Sequence, residues 1–114
     1  DGDITELIPK FIKMGFSALH PFDTSNNAQD IYKIKKLYGK KMMLCGNIDI
    51  NGVLLHGTSE EVKVDVIKHI DNLSEGGGYC VSSSHDLHQM IPVENIYAMR
   101  DAVHEHRFTR TAID

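Results

Sequence analysis

The chain has 114 residues, 41% hydrophobic and 25% charged, with a formal net charge of −4. That length is within the range of one domain, and the acidic balance argues against a nucleic-acid partner, which selects a basic patch. No apolar run approaches the roughly 18 residues of a membrane span and no secretory signal is present, so a cytoplasmic protein is expected.

The first residue is Asp1 rather than Met, which reads as a cut or lost N-terminus. Asp3-Ile4-Thr5-Glu6 has the form of a helix start, with Asp3 as cap and Glu6 in the first turn. Ile4, Leu7, Ile8, Phe11 and Ile12 follow at helical spacing, with Pro9 predicting a kink or a later start and Gly15 a stop. Ser17 to His20 reads as a strand ended by Pro21, and Thr24 to Asn27 as a polar turn. A helix is expected from about Ala28 to Tyr38, then a buried strand over 41–45 and the loop Gly46-Asn47-Ile48-Asp49. Gly52 to His56 suggests a single helical turn. Thr58-Ser59-Glu60-Glu61 is a capping box that opens a helix to about Leu73, and Gly76-Gly77-Gly78 ends it. That triplet follows a helix and precedes a strand, the wrong order for a phosphate-binding loop. Tyr79 to Ser82 is the third strand. Pro92 opens a last helix to about His106, and 107–114 reads as a flexible tail.

Helices therefore alternate with three short strands, which predicts parallel βαβ units within one α/β domain over 1–114. Such units put all strand C-terminal ends on one side. The loops there carry His20, Asp23 and Thr24; Gly46, Asn47 and Asp49; and Ser82 to Asp86 with His88. The loops at the other end are short and marked by glycine. This asymmetry predicts an active side without naming a reaction. His85, just past a strand end, is the sharpest candidate, able to hold a carboxylate or move a proton near neutral pH. His20, Asn47 and Asp49 are further substrate-binding candidates, although Asn and Asp also serve as turn residues. His69, His104 and His106 fall within helices, away from these loops, and are expected at the surface. Cys45 and Cys80 lie in apolar runs and are expected to be buried thiols. No compact ligand spacing supports a metal site.

The ordered set Gly46-Asn47-Ile48-Asp49, Gly57-Thr58-Ser59-Glu60-Glu61-Val62, Gly76-Gly77-Gly78-Tyr79, Ser84-His85 and Pro92-Val93-Glu94-Asn95-Ile96 resembles the C-terminal part of the uroporphyrinogen decarboxylase family. The resemblance implies a partial (βα)8 TIM barrel of three parallel strands and about four helices, incomplete by itself. It implies a carboxy-lyase parent that removes acetate carboxyls from a tetrapyrrole without a cofactor, as a homo-oligomer or together with the missing half-barrel. It places His85 on a family histidine of the substrate cleft. The family's charge-stabilising arginines and aspartate have no counterpart in this chain, so no catalytic residue is assigned and the isolated chain is expected to be inactive. The same superfamily holds cobamide-dependent methyltransferases, which use zinc; that activity is the alternative, and a non-catalytic half-barrel that oligomerises is the third reading. His88, Gln89 and Met90 depart from the family pattern after the last strand.

Overall fold

The computed structural model describes residues 2–22 and 30–113, with side chains to residue 106. The expected turn at Thr24 to Asn27, with Asp23, lies outside the described residues. Three strands, β1 (Ala18–Leu19), β2 (Met43–Cys45) and β3 (Tyr79–Cys80), pair in parallel in the order β1-β2-β3. Helices α1 (Ile8–Lys13), α2 (Ile31–Tyr38), α3 (Val53–His56), α4 (Ser59–Leu73) and α5 (Val93–Ile113) alternate with them or extend the connections. The described residues form an α/β fold of three parallel strands and five helices, without barrel closure among them.

Local chemistry sets most boundaries. Pro9 sits in the first turn of α1, where its missing N–H costs no hydrogen bond, so the α-helix starts at Ile8 behind a 3-10 turn over Thr5–Leu7. Asp3 accepts from the Thr5 amide at 2.9 Å rather than from Glu6. Asp30 caps α2 by accepting from Tyr32 and Lys33, so this helix starts later than Ala28. Thr58 and Glu61 close the expected capping box at the start of α4. The last helix does not stop near His106 but is continuous to Ile113. The strands are shorter than expected because the regular ladder holds only two or three residues in each. An isolated parallel bridge between Ile48 and Ser83 continues the pairing beyond it.

Strand alternation divides the sheet into two faces. Leu19, Leu44 and Tyr79 are in register and point to the helix side, where Leu44 is fully buried with Phe22, Ile34 and Leu73. A second core joins Leu54, Val62, Val66 and Ala102, from α3, α4 and α5. Each Leu, Ile, Val or Phe among them contributes about 1.5–3 kcal/mol on full burial. The opposite face carries Ala18, Met43 and Cys80, all exposed. The expectation of two buried thiols is corrected here. Cys45 is buried and Cys80 is exposed although the two are in register on the side that no described helix covers: Cys45 lies on the central strand β2 and Cys80 on the edge strand β3.

Candidate functional site

The strand C-terminal ends meet at one rim, and the loops after β2 and β3 are tied into a unit there. Ser84 is buried, its amide donates to the Ile48 carbonyl at 2.8 Å, and its Oγ accepts from the Ile50 amide at 3.1 Å. The Gly46 amide donates to the Cys80 carbonyl at 3.1 Å, and the Tyr79 hydroxyl donates to the Gly46 carbonyl. Burial is the first cause that pushes the Tyr79 phenol well above its ordinary range, so it is a fixed donor. Gly46 has φ +140°, and a Cβ there would come within 3.1 Å of the Phe22 amide nitrogen. A side chain there is strained by the backbone conformation and crowded against Phe22.

Two candidates face each other on this rim. His20, just after β1, places Nε2 3.3 Å from the Ser82 Oγ, just after β3. Both are polar groups on the uncovered side of the sheet. His85 is exposed on the next turn of the same loop. Its Nδ1 accepts from the Asp86 amide at 2.8 Å, and its carbonyl accepts from the Ser83 hydroxyl at 2.6 Å. Accepting at Nδ1 puts the proton of the neutral ring on Nε2, which makes Nε2 the donor. His88 accepts from the Met90 amide at 3.3 Å and thereby shapes the loop.

Asn47 and Asp49 are placed differently. Asp49 accepts from the Asn51 amide at 2.9 Å, and its carbonyl accepts from Leu54 at 3.0 Å, forming an Asx-type turn into α3. Asn47 is 4% exposed and turns to the helix side, where its Oδ1 lies 3.0 Å from His69 Nε2. The expectation that His69 sits at the surface is corrected: it is 5% exposed, with Nδ1 2.8 Å from the Asp65 carbonyl, 3.3 Å from the Tyr32 hydroxyl and 3.6 Å from the Asp65 carboxylate. The signal was present in the sequence. His69 follows Val62 by seven residues and Val66 by three, on the apolar stripe of α4. The Tyr32 phenol is pushed up to about 12 by burial first and then by Asp65 and Asp30. A pocket of about 230 Å³, lined by Asp30, Asp49 and Lys68 among others, opens beside this network.

His104 is an exposed residue of α5, and His106 meets Asp71 at 2.6 Å, tying α5 to α4. A depression of about 940 Å³ lies at the other end of the strands between Lys35, Lys41 and Gly78, away from every candidate above. Among the described residues no group of three or more His, Cys, Asp or Glu side chains is set to hold a metal ion. No helix among them is long and apolar enough to cross a membrane.

Residues 1–106 match the family model described as Uroporphyrinogen decarboxylase (URO-D). Uroporphyrinogen decarboxylase from Nitrosococcus oceani is 32% identical over 76 residues, which cover 67% of this chain and 21% of that protein. The enzyme of the same name from Azoarcus sp. is 29% identical over 74% of this chain and 23% of its own length. Among solved structures, a methyltransferase from Methanosarcina mazei superposes with a TM-score of 0.75 at 20% identity, over 94% of this chain and 30% of the other. The matched region thus spans about a fifth of the length of the curated relatives, and the methyltransferase likeness speaks for the fold alone.

Proposed function

The chain belongs to the uroporphyrinogen decarboxylase family, and on that premise we propose that its full-length parent is a carboxy-lyase acting on the acetate side chains of a tetrapyrrole. The observation that carries this reading is the family match over residues 1–106, with His85 held at the strand C-terminal rim. In parallel α/β barrels this rim carries the chemistry. His85, oriented by Asp86, supplies a donor for a substrate carboxylate. His20, set against Ser82, supplies a second polar contact on the same side. Asn47 and Asp49 contribute through the loop, Asn47 by anchoring it to His69 and Asp49 by turning it into α3.

Among the described residues one sheet face is uncovered and β1 and β3 are unpaired at their outer edges; these need a partner, since parallel sheets are found almost only with both faces covered. The remaining barrel strands of the parent fill that role, with a second copy as the substitute when the chain is isolated. A cytoplasmic protein without an organic cofactor fits the same reading.

The test is turnover of uroporphyrinogen by the full-length parent. His85→Ala is expected to lower kcat/KM about 10–100-fold while the protein stays folded, in line with loss of a hydrogen bond to a charged group of about 1.5–3 kcal/mol. Bound zinc with methyl transfer from a corrinoid, and no decarboxylation, would replace this reading with the methyltransferase one. The 114-residue chain alone is expected to show no turnover.

A further inference from the structure

In the reading above His69 only anchors Asn47. A continuous path of hydrogen bonds runs further, from this helix histidine to the histidine of the rim. The His69 ring is fixed on α4 through Nδ1, which lies 2.8 Å from the Asp65 carbonyl and 3.3 Å from the Tyr32 hydroxyl. A carbonyl only accepts, so Nδ1 carries a proton. Nε2 then faces the loop after β2, 3.0 Å from the Asn47 side chain. The next residue is Ile48. Its amide donates to the Ser82 carbonyl at 3.0 Å, and its carbonyl accepts from the Ser84 amide at 2.8 Å. The Ser84 Oγ accepts from the Ile50 amide at 3.1 Å, and the residue after Ser84 is His85.

Two observations give this path weight. The regular ladder ends at Cys45 and resumes only as the single bridge of Ile48 with Ser83. Between the two, strand pairing does not set the direction of the loop, and the Asn47 side chain does. Asn47, His69 and Ser84 are also only 4%, 5% and 2% exposed. Buried polar groups have few alternative partners, so each one fixes the next. Strands or copies added to the open sheet face can only bury this path further. The path therefore belongs to the parent as much as to the chain.

We propose that His69 is a positioning residue of the rim. By holding Asn47 it sets Ile48 against Ser82 and Ser84, and through Ser84 it sets the place of the His85 ring. His69 touches no substrate in this scheme. Its effect on turnover rests on the reading of His85 as a donor to a substrate carboxylate; its effect on the His85 ring does not. Misplacing a reacting or binding group by about 1 Å can cost on the order of 10²-fold in rate, and a loosened loop is expected to cost about tenfold.

The experiment uses the full-length parent. His69→Leu keeps much of the bulk and removes both ring nitrogens, whereas His69→Gln ends in an amide that can bond Asn47 as donor or acceptor. His69→Leu is expected to lower kcat/KM about tenfold at a temperature where the protein is fully folded, and His69→Gln to recover most of the loss. In a His85→Ala background, His69→Leu should add less than about twofold, because its effect passes through the missing ring. A role in stability alone gives the same loss in both backgrounds. Nuclear magnetic resonance of isotope-labelled histidine rings is the second readout. The His85 signal, assigned by its loss in His85→Ala, should shift in His69→Leu and return in His69→Gln. Asn47→Ala cuts the path from the loop side and replaces His69→Leu if that variant does not fold. If the parent decarboxylates no uroporphyrinogen, the functional reading fails, and the His85 signal alone decides the positioning role. An unmoved His85 signal, or equal losses with and without His85, would overturn the proposal.

Discussion

The His69 ring meets groups from three parts of the chain: Asn47 after β2, Tyr32 in α2, and the Asp65 backbone one turn earlier in α4. Both ring nitrogens face oxygen acceptors when the Asn47 amide presents Oδ1 to the ring. The imidazolium satisfies that arrangement, with the Asp65 carboxylate as counter-charge. A neutral ring satisfies it if the amide is turned so that Nδ2 donates. In either case, removing one partner strands a buried polar group. His69→Ala is therefore expected to cost roughly 1–3 kcal/mol in urea unfolding. The double variant with Asn47→Ala should cost less than the sum of the two single changes; strict additivity would rule out the coupling. Tyr32 gives a pH signature. Its folded phenol titrates at about 12, above its ordinary value of 10.0. The folded state thus holds the proton longer, and the associated stability is full below the unfolded pKa and lost as pH rises through about 10 to 12. Alkaline unfolding curves and tyrosinate absorbance of Tyr32→Phe against the wild type check this, and that variant should show a shallower alkaline loss.

Helix α4 is the element that joins the two cores. Val62 and Val66 pack with α5, Leu73 packs against the strands, and His69 reaches the rim between them. Its start is fixed by the reciprocal bonds of Thr58 and Glu61. Thr58→Ala removes the acceptor for the Glu61 amide and is expected to cost about 1 kcal/mol, with a range of 0.5–2. Thr58→Ser should recover most of it. Equal losses in the two variants, measured by denaturant unfolding, would show that the cap is not the cause. The start of α5 is held by tertiary contacts instead. Asn95 donates to the Leu54 and Gly57 carbonyls at 3.0 and 2.9 Å, closing the turn between α3 and α4 against the last helix. Propensity marked both helices in the sequence, but only α4 carried its own start signal in full.

At the scale of the molecule, the chain measures 40 × 37 × 18 Å, a slab in which helices cover one side of a sheet. Met43 stays 39% exposed on the uncovered side, and Phe16 and Met14 add exposed apolar surface. The purified chain is expected to self-associate, with sedimentation velocity giving species heavier than one copy at micromolar concentration. A stable monomer with a cooperative unfolding transition would show that the slab is sufficient by itself. The rim loops, in contrast, have internal support: Ser84 and Tyr79 fix them within the chain.

The sequence by itself determined the order of the elements, because apolar spacing, the capping box, Pro9 and the glycine stops are local signals read within a few residues. It also determined the family, because the ordered motifs persist where single residues do not. It placed His20 and His85 at the ends of strands. Only the tertiary structure decided which way side chains face beyond those ends. Past β2 the chain departs from strand alternation at Gly46 and Asn47, so Asn47 turns to the helices although strand periodicity carries no such instruction. Cys80 is exposed and His69 buried for a related reason: burial depends on what packs against a face, and that is set by elements far away in the chain. The in-register meeting of Cys45 with Cys80, 35 positions apart, belongs to the same class, since sheet register is a property of the assembled strands.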